Sequence, residues 1–444
     1  MAADAGRLLG LVGSAFRAAE IPVVLLRGDD GFLDPARDVD LLIHPAHFLR
    51  AERVARETAE AAGWRVLFRE RVANHRHLLL WRAGGGDGVP PACVHLDLQD
   101  RLGLKGFRYA AAEPFLEGRV EGPIFPRPRR EARVVALVLH LALDHAVPRD
   151  PTRETPAIED GAALTAFCRS ALPGRVAACL EVWIRDGGRT ADLPGLAARL
   201  RRALGASDPL NLVRPAFVRL RRRARILGRR RGALVVFVGP DGAGKSTVVE
   251  AVASMLPRGP FPLRTVYMGK REPFLPTSRW IRALHERKAG RSRAARPGGA
   301  PRAPSRLADL AGLANWVLEQ WARHWFQVRP CLQQGGIVLA DRYGFDVAQR
   351  EPSSLAHRRP LQQLLPRLFP APDLTCLLWE DPEVLHRRKA ERSVAESAAL
   401  LERLRHTVAT VTPVREVRTD RPTAVTAASV VTEICRLLEA RCDR

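Results

Sequence analysis

Hydrophobic positions along the chain fall into two rhythms. Up to about residue 125, short apolar or alternating runs at Pro22–Leu26, Val39–Ile43, Trp64–Phe68, His77–Trp81 and Val94–Leu98 predict strands. Helical spacing predicts a helix before Glu20 and another through Ala46–Ala62, and Ala83-Gly-Gly-Gly-Asp-Gly-Val-Pro-Pro91 predicts a loop between strands. From Arg130 to about Val218 the pattern is Ala/Leu-rich with helical spacing, broken at Pro148, Pro151, Pro156, Pro173 and Pro194. From Ala233 onward, apolar runs predict buried strands at Leu234–Val238, Thr265–Met268, Gly336–Ala340, Leu374–Trp379 and Val414–Arg418. Leu307–Val328 predicts an amphipathic helix whose Trp316, Trp321 and Trp325 have core spacing. The Arg/Gly/Pro/Ser-rich stretch Arg287–Arg306 predicts an excursion from the packed elements.

The expected fold class is α/β. Residues 1–125 form a small mixed α/β domain, 126–218 a helical connector, 219–232 an arginine-rich linker, and 233–444 a three-layer α/β/α domain with a parallel sheet. A length of 444 residues fits two or three cores rather than one. The formal net charge of +23 comes almost wholly from arginine and suits phosphate-rich ligands, nucleic acid or anionic lipid. The densest run, Arg219–Arg231, has no interleaved aromatic residue, which favours a solvated linker over a nucleic-acid contact. The seven cysteines are scattered and odd in number, as expected of reduced thiols in cytoplasm. Asp4 and Arg7 interrupt any leader pattern, and the best apolar run, Val134–Leu143, is too short to span a bilayer, so a soluble protein is expected.

Chemistry enters at Leu234-Val-Val-Phe-Val-Gly239-Pro240-Asp241-Gly242-Ala243-Gly244-Lys245-Ser246-Thr247. An apolar strand, a glycine-rich turn with Walker A spacing and a following helix make a cradle of backbone N–H groups for phosphate oxygens. Lys245 is placed to reach the β and γ phosphates of ATP, and Ser246 to ligate Mg²⁺. Asp341-Arg342-Tyr343 follows the Gly336–Ala340 strand, at the edge where ligand residues emerge from parallel sheets. Asp341 can organise metal or the attacking oxygen, and Arg342 can hold a phosphate bidentately.

Together these motifs resemble the thymidylate kinase family over roughly the last half of the chain. Pro372-Asp-Leu-Thr-Cys-Leu-Leu-Trp379 is similar to that family's later strand, and Arg387-Arg388-Lys389-Ala-Glu391-Arg392 to the start of its arginine-bearing lid. The resemblance implies an ATP- and Mg²⁺-dependent phosphotransferase whose lid arginines, Arg388 and Arg392, meet the migrating phosphoryl group. Where thymidylate kinases carry Arg-Glu-Pro-Gly-Gly-Thr, this chain has Lys270-Arg271-Glu272-Pro273-Phe274-Leu275. Arg342-Tyr343-Gly-Phe-Asp346, Leu364-Leu-Pro-Arg-Leu-Phe-Pro370 and Arg388-Lys389-Ala-Glu391 are closer to thymidylate-kinase-like proteins associated with surface polysaccharide synthesis. The acceptor is therefore left open between a nucleoside monophosphate and another small phosphorylated compound.

In the first quarter, Asp38-Val-Asp40 puts two carboxylates on one face of a strand, and Val94-His-Leu-Asp97-Leu98 supplies a third. Asp38, Asp40 and Asp97 resemble the metal-binding trio of the nucleotidyltransferase superfamily that includes DNA polymerase β, which implies Mg²⁺ held against a triphosphate. Leu26-Arg27-Gly28-Asp29 stands where that superfamily has Gly-Ser. His75 and His77 read as surface or satisfied core histidines. The other open readings are an ATP-binding switch or scaffold without kinase turnover, and an arginine-driven nucleic-acid binder. A homodimer is an open alternative to the monomer.

Overall fold

The computed structural model describes residues 2–26, 38–72, 74–86, 88–104, 106–145, 160–227, 232–256, 259, 261–269, 273–280, 283, 306–345, 365–389 and 392–442. Expectations placed on Arg27–Asp29, Pro148–Pro156, Arg229–Arg231, Lys270–Glu272, residues 287–305, Asp346, Leu364 and Glu391 lie outside them.

The first sheet contains β1 (Val23–Leu25), β2 (Val39–Ile43), β3 (Arg65–Val72), β4 (His75–Arg82) and β5 (Ala92–Gln99), in the order β1-β2-β5-β4-β3. Only the β2/β5 pair is parallel. Alternation divides its faces. Leu41, Leu78, Leu80, Leu96 and Leu98 pack beneath the helices Ala2–Ala18 and Phe48–Ala61. The opposite face is polar at one end, with His75, His77, His95 and Asp97, and apolar at the other, with Leu79, Trp81 and Cys93. The sequence reading missed a hairpin, β6 (Arg101–Leu104) and β7 (Phe107–Ala111), because its alternation is short and its turn rests on one glycine, Gly106, at φ 90°.

Helices Arg130–His140, Gly161–Ala171, Gly174–Arg185 and Leu193–Ser207 bury their apolar stripes in one core with Val24, Leu42, Leu102 and Tyr109. That region is thus continuous with the first sheet and its hairpin. The next helix, Leu210–Leu227, runs into the expected arginine-rich linker, with Arg219 to Leu227 forming its last turns. Arginine and leucine are strong helix formers, and Asn211 fixes the helix by exchanging hydrogen bonds of 3.0 and 3.1 Å with the Arg108 backbone.

The second sheet contains β8 (Ala233–Val238), β9 (Leu263–Tyr267), β10 (Ile337–Asp341), β11 (Leu374–Trp379) and β12 (Val414–Arg418). All pairs are parallel, in the order β12-β11-β8-β10-β9. Ala233, Val235 and Phe237 face the helices Lys245–Met255 and Thr423–Cys442, while Leu234, Val236 and Val238 face Arg306–Arg323 and Val394–Ala409. Burial on both faces explains why these strands read as continuous apolar runs. The predicted helix through Val328 is α-helical only to Arg323 and continues as a π turn, His324–Val328. That extra residue per turn breaks the periodicity. Trp316 is therefore buried, whereas Trp325 is exposed beneath the Arg329 guanidinium, 4.0 Å from its ring centre.

The two sheets share a core. Leu67, Leu79, Trp81 and Cys93 pack with Phe261 and the Thr423–Cys442 helix. The Phe68 and Phe261 ring centres are 5.3 Å apart, and Trp81 Nε1 donates to Glu439 at 3.1 Å. All seven cysteines are free thiols. Burial pushes those of Cys93 and Cys376 up to about 12, which makes them inert packing groups.

Candidate active site

At the carboxyl end of β8 the chain enters Gly239, where a Cβ would lie 2.3 Å from the Leu378 carbonyl oxygen. Only glycine lets the loop leave β8 so close to β11. Gly244, at φ 72°, caps the Lys245–Met255 helix, so the N-terminus of that helix stands at the end of the loop. Lys245 is 7% exposed; its Nζ donates to the carbonyls of Gly239 at 3.0 Å and Pro240 at 2.7 Å.

β10 delivers the other half of the site. Ser246 Oγ donates to Asp341 Oδ2 at 2.7 Å, while Asp341 Oδ1 is buried and makes no hydrogen bond. Arg342 takes φ 70°, uncommon for a residue with a side chain, and its Nη2 donates to Asp241 Oδ1 at 2.7 Å. Burial opposes ionisation of Asp241, but Lys245 and Arg342 outweigh it and hold its carboxyl below the ordinary value. Tyr343 is buried, with its hydroxyl donating to Pro370 O at 2.7 Å. The structure thus brings Asp241, Lys245, Ser246, Asp341 and Arg342 together, with Pro240, Gly242, Ala243 and Thr247 completing the loop and the first helical turn.

The lid residues are placed differently. Arg388 closes the helix Pro382–Arg388 and donates to Thr419 O at 3.3 Å, at the end of β12. Arg392 offers its carbonyl to His386 Nδ1 at 2.7 Å. Beside the phosphate loop stand Leu385 and, from the quoted lid motif, Lys389: a Cβ at Gly242 would sit 3.4 Å from Leu385 O and 3.5 Å from Lys389 Cβ.

Beyond β9, Gln320 Nε2 donates to Met268 O at 2.8 Å and Arg323 Nη1 to Gly269 O at 3.1 Å. Glu319, paired with Arg323 at 2.8 Å, accepts from the backbone N–H groups of Phe274 and Leu275. These residues hold the segment opposite Arg342.

On the first sheet, Asp40 stands opposite Asp97, which stands opposite His77. Asp38 Oδ1 accepts from His95 Nδ1 at 2.7 Å. His75 Nδ1 donates to both Asp97 oxygens at 3.0 Å, and its Nε2 donates to Gly103 O at 2.7 Å. His75 is thus a satisfied core histidine, one of the two roles expected for it. Burial opposes its charge, but these bonds raise its pKa above the ordinary value. Gln99 Nε2 links Asp40 at 3.4 Å with Asp97 at 3.3 Å. Sequence reasoning found the carboxylates and missed their imidazole partners; His75, His77 and His95 at strand spacing were the available signal.

Fold and site define a parallel-sheet α/β domain whose central strand opens into a phosphate loop. The sequence matches no protein-family model and none of the curated proteins compared with it. Among solved structures, the chain is similar to a thymidylate kinase from Candida albicans, at 17% identity and TM-score 0.34, over 48% of this chain and 94% of that one. A thymidylate kinase from Ehrlichia chaffeensis is similar at 17% identity and TM-score 0.30, over 46% of this chain and 98% of that one. Among the described residues, no helix is long and apolar enough to cross a membrane.

Proposed function

We propose that the chain is an ATP-dependent phosphotransferase acting on a nucleoside monophosphate or related small phosphorylated acceptor. The observation that carries this reading is the 2.7 Å bond from Ser246 Oγ to Asp341, with the second Asp341 oxygen buried and unbonded beside the phosphate loop. A serine hydroxyl and a carboxylate from a neighbouring strand are the protein donors that suit a Mg²⁺ ion retaining most of its water. Bound there, Mg²⁺ supplies charge neutralisation on the phosphates.

The chain's own residues divide the remaining work. The backbone N–H groups from Gly242 to Ser246 bind phosphate oxygens, and Lys245 exchanges its loop carbonyls for them. Arg342, held beside the loop by Asp241, exchanges that partner for an acceptor phosphate. The Glu319–Arg323 pair fixes the segment after β9 that faces the acceptor. Lys389, whose Cβ lies beside Gly242, together with Arg388 and Arg392 supplies positive charge for the migrating phosphoryl group.

ATP incubated with a panel of nucleoside monophosphates and sugar phosphates, with products read by mass, tests the proposal. Acceptor-dependent ADP release with a phosphorylated product supports it. Slow hydrolysis indifferent to every acceptor marks a nucleotide-sensing switch instead.

A further inference from the structure

Asp38, Asp40 and Asp97 do not form a bare oxygen site for Mg²⁺. Imidazoles already engage two of them, His95 on Asp38 and His75 on Asp97. A different donor set lies alongside. His77 Nδ1 is buried, makes no hydrogen bond, and lies 3.5 Å from Asp97 Oδ1, too long and misdirected for one. Two ligand atoms about 2.1 Å from a tetrahedral Zn²⁺ lie roughly 3.4 Å apart, so this pair is spaced as one edge of such a shell.

The geometry points to a divalent transition-metal site on the first sheet, with His75 Nδ1, His77 Nδ1 and Asp97 Oδ1 as ligands, the ion taking the place of the proton that His75 Nδ1 donates to Asp97. The backbone sets this up. His75 and His77 stand two residues apart on β4, and His77 is the register partner of Asp97 on β5, so the three side chains stand side by side on one face. One ligand atom each from His75, His77 and Asp97 falls within a span of 4.8 Å.

An outer layer is in place as well. His75 Nε2 donates to the Gly103 carbonyl at 2.7 Å, which fixes the ring with Nδ1 turned to Asp97. Gln99 Nε2 donates to Asp97 at 3.3 Å, and the His95 ring, 5.3 Å from that of His77, lines the same wall with a buried Nε2 that makes no hydrogen bond. Ligating carboxylates held by such partners are the usual surroundings of a metal. Two imidazoles with one carboxylate suit a borderline cation such as Zn²⁺ better than Mg²⁺, which prefers oxygen and keeps its water.

The test uses full-length protein stripped with chelator, carrying Ser246→Ala and Asp341→Asn so that the phosphate loop no longer competes for metal. Titration with Zn²⁺ by calorimetry, and with Co²⁺ by visible absorption, is expected to show one site per chain. Mg²⁺ in hundredfold excess should not displace the ion. His77→Gln should weaken Zn²⁺ by about tenfold to a hundredfold and remove the tetrahedral Co²⁺ bands. Asp97→Asn should do the same; if it fails to fold, as judged by circular dichroism, the more exposed His77→Gln decides alone. The inference is overturned if folded His77→Gln binds Zn²⁺ as tightly as its parent, if no stoichiometric ion binds, or if Mg²⁺ competes on equal terms. Because the readout is metal binding with the loop disabled, it is independent of whether the kinase reading holds.

Discussion

Replacing Lys245 by methionine removes one charge and keeps the apolar stem. In the free loop, Nζ donates to two carbonyls and lies 3.7 Å from Asp241. Charge-assisted bonds of this kind contribute about 1.5–3 kcal/mol each, but the gain is offset by burying the ammonium in a side chain only 7% exposed. The freed carbonyls belong to Gly239 and Pro240, which are buried, but removing the buried ammonium offsets their lost partner, and Asp241 keeps its bond to Arg342. The stability cost is therefore about 1–2 kcal/mol, or roughly 2–8 °C in Tm. The cost to turnover is larger, because the lost charge faces developing phosphoryl charge in a site closed to water. Removing one such preorganised donor costs about 2.7–4 kcal/mol, or about a hundred- to a thousandfold in kcat. The assay is acceptor-dependent ADP release at saturating ATP, alongside thermal unfolding of the same preparation. Turnover within threefold of the parent would refute the role of Lys245, and a drop in Tm above about 10 °C would refute the claim that its role is local.

Other predictions follow from the same geometry. Asp341→Asn should lower acceptor-dependent turnover at least a hundredfold and shift the Mg²⁺ dependence upward, because it replaces the carboxylate that pairs with Ser246; an unchanged Mg²⁺ curve argues against a metal at this pair. Asp241 has a folded pKa below its ordinary value of 3.8, so its contribution to stability is present above that pH and is lost as pH falls through the folded value. Asp241→Asn should accordingly flatten the acid limb of a stability-versus-pH curve below about pH 4; identical acid limbs would exclude the pairing with Lys245 and Arg342. Trp81→Ala removes a 3% exposed indole from the core shared by the two sheets, at a cost of about 3–5 kcal/mol. Calorimetry should then resolve two transitions where the parent shows one, and a single transition shifted by less than 2 °C would contradict the shared core.

The phosphate loop was legible because its information is local. A strand, a glycine turn and a helix start occupy consecutive residues, and each glycine is dictated by the backbone it must adopt. The parallel sheet was legible for a related reason, since strands such as Leu234–Val238, buried on both faces, must be apolar throughout. Periodicity failed at the π turn His324–Val328, where the register of the helix changes without any change in composition. Nor did it mark the helical turns at Arg219–Leu227, where the density of charge hid good helix formers.

By itself, the sequence determined that a glycine-rich loop with Walker A spacing follows a buried strand, that a parallel sheet carries it, and that three carboxylates lie in or beside an early strand pair. Tertiary structure decided what those residues meet. Ser246 and Asp341 are 95 positions apart and become partners only because β8 and β10 are register neighbours. Arg342 reaches Asp241 for the same reason. His77, Asp97 and Asp40 are separated by a loop and two turns of topology, and strand order alone sets them in one row. Spacing along the chain specifies which face a side chain takes, but the order of strands specifies its neighbours, and the chemistry of both candidate centres lies in those neighbours.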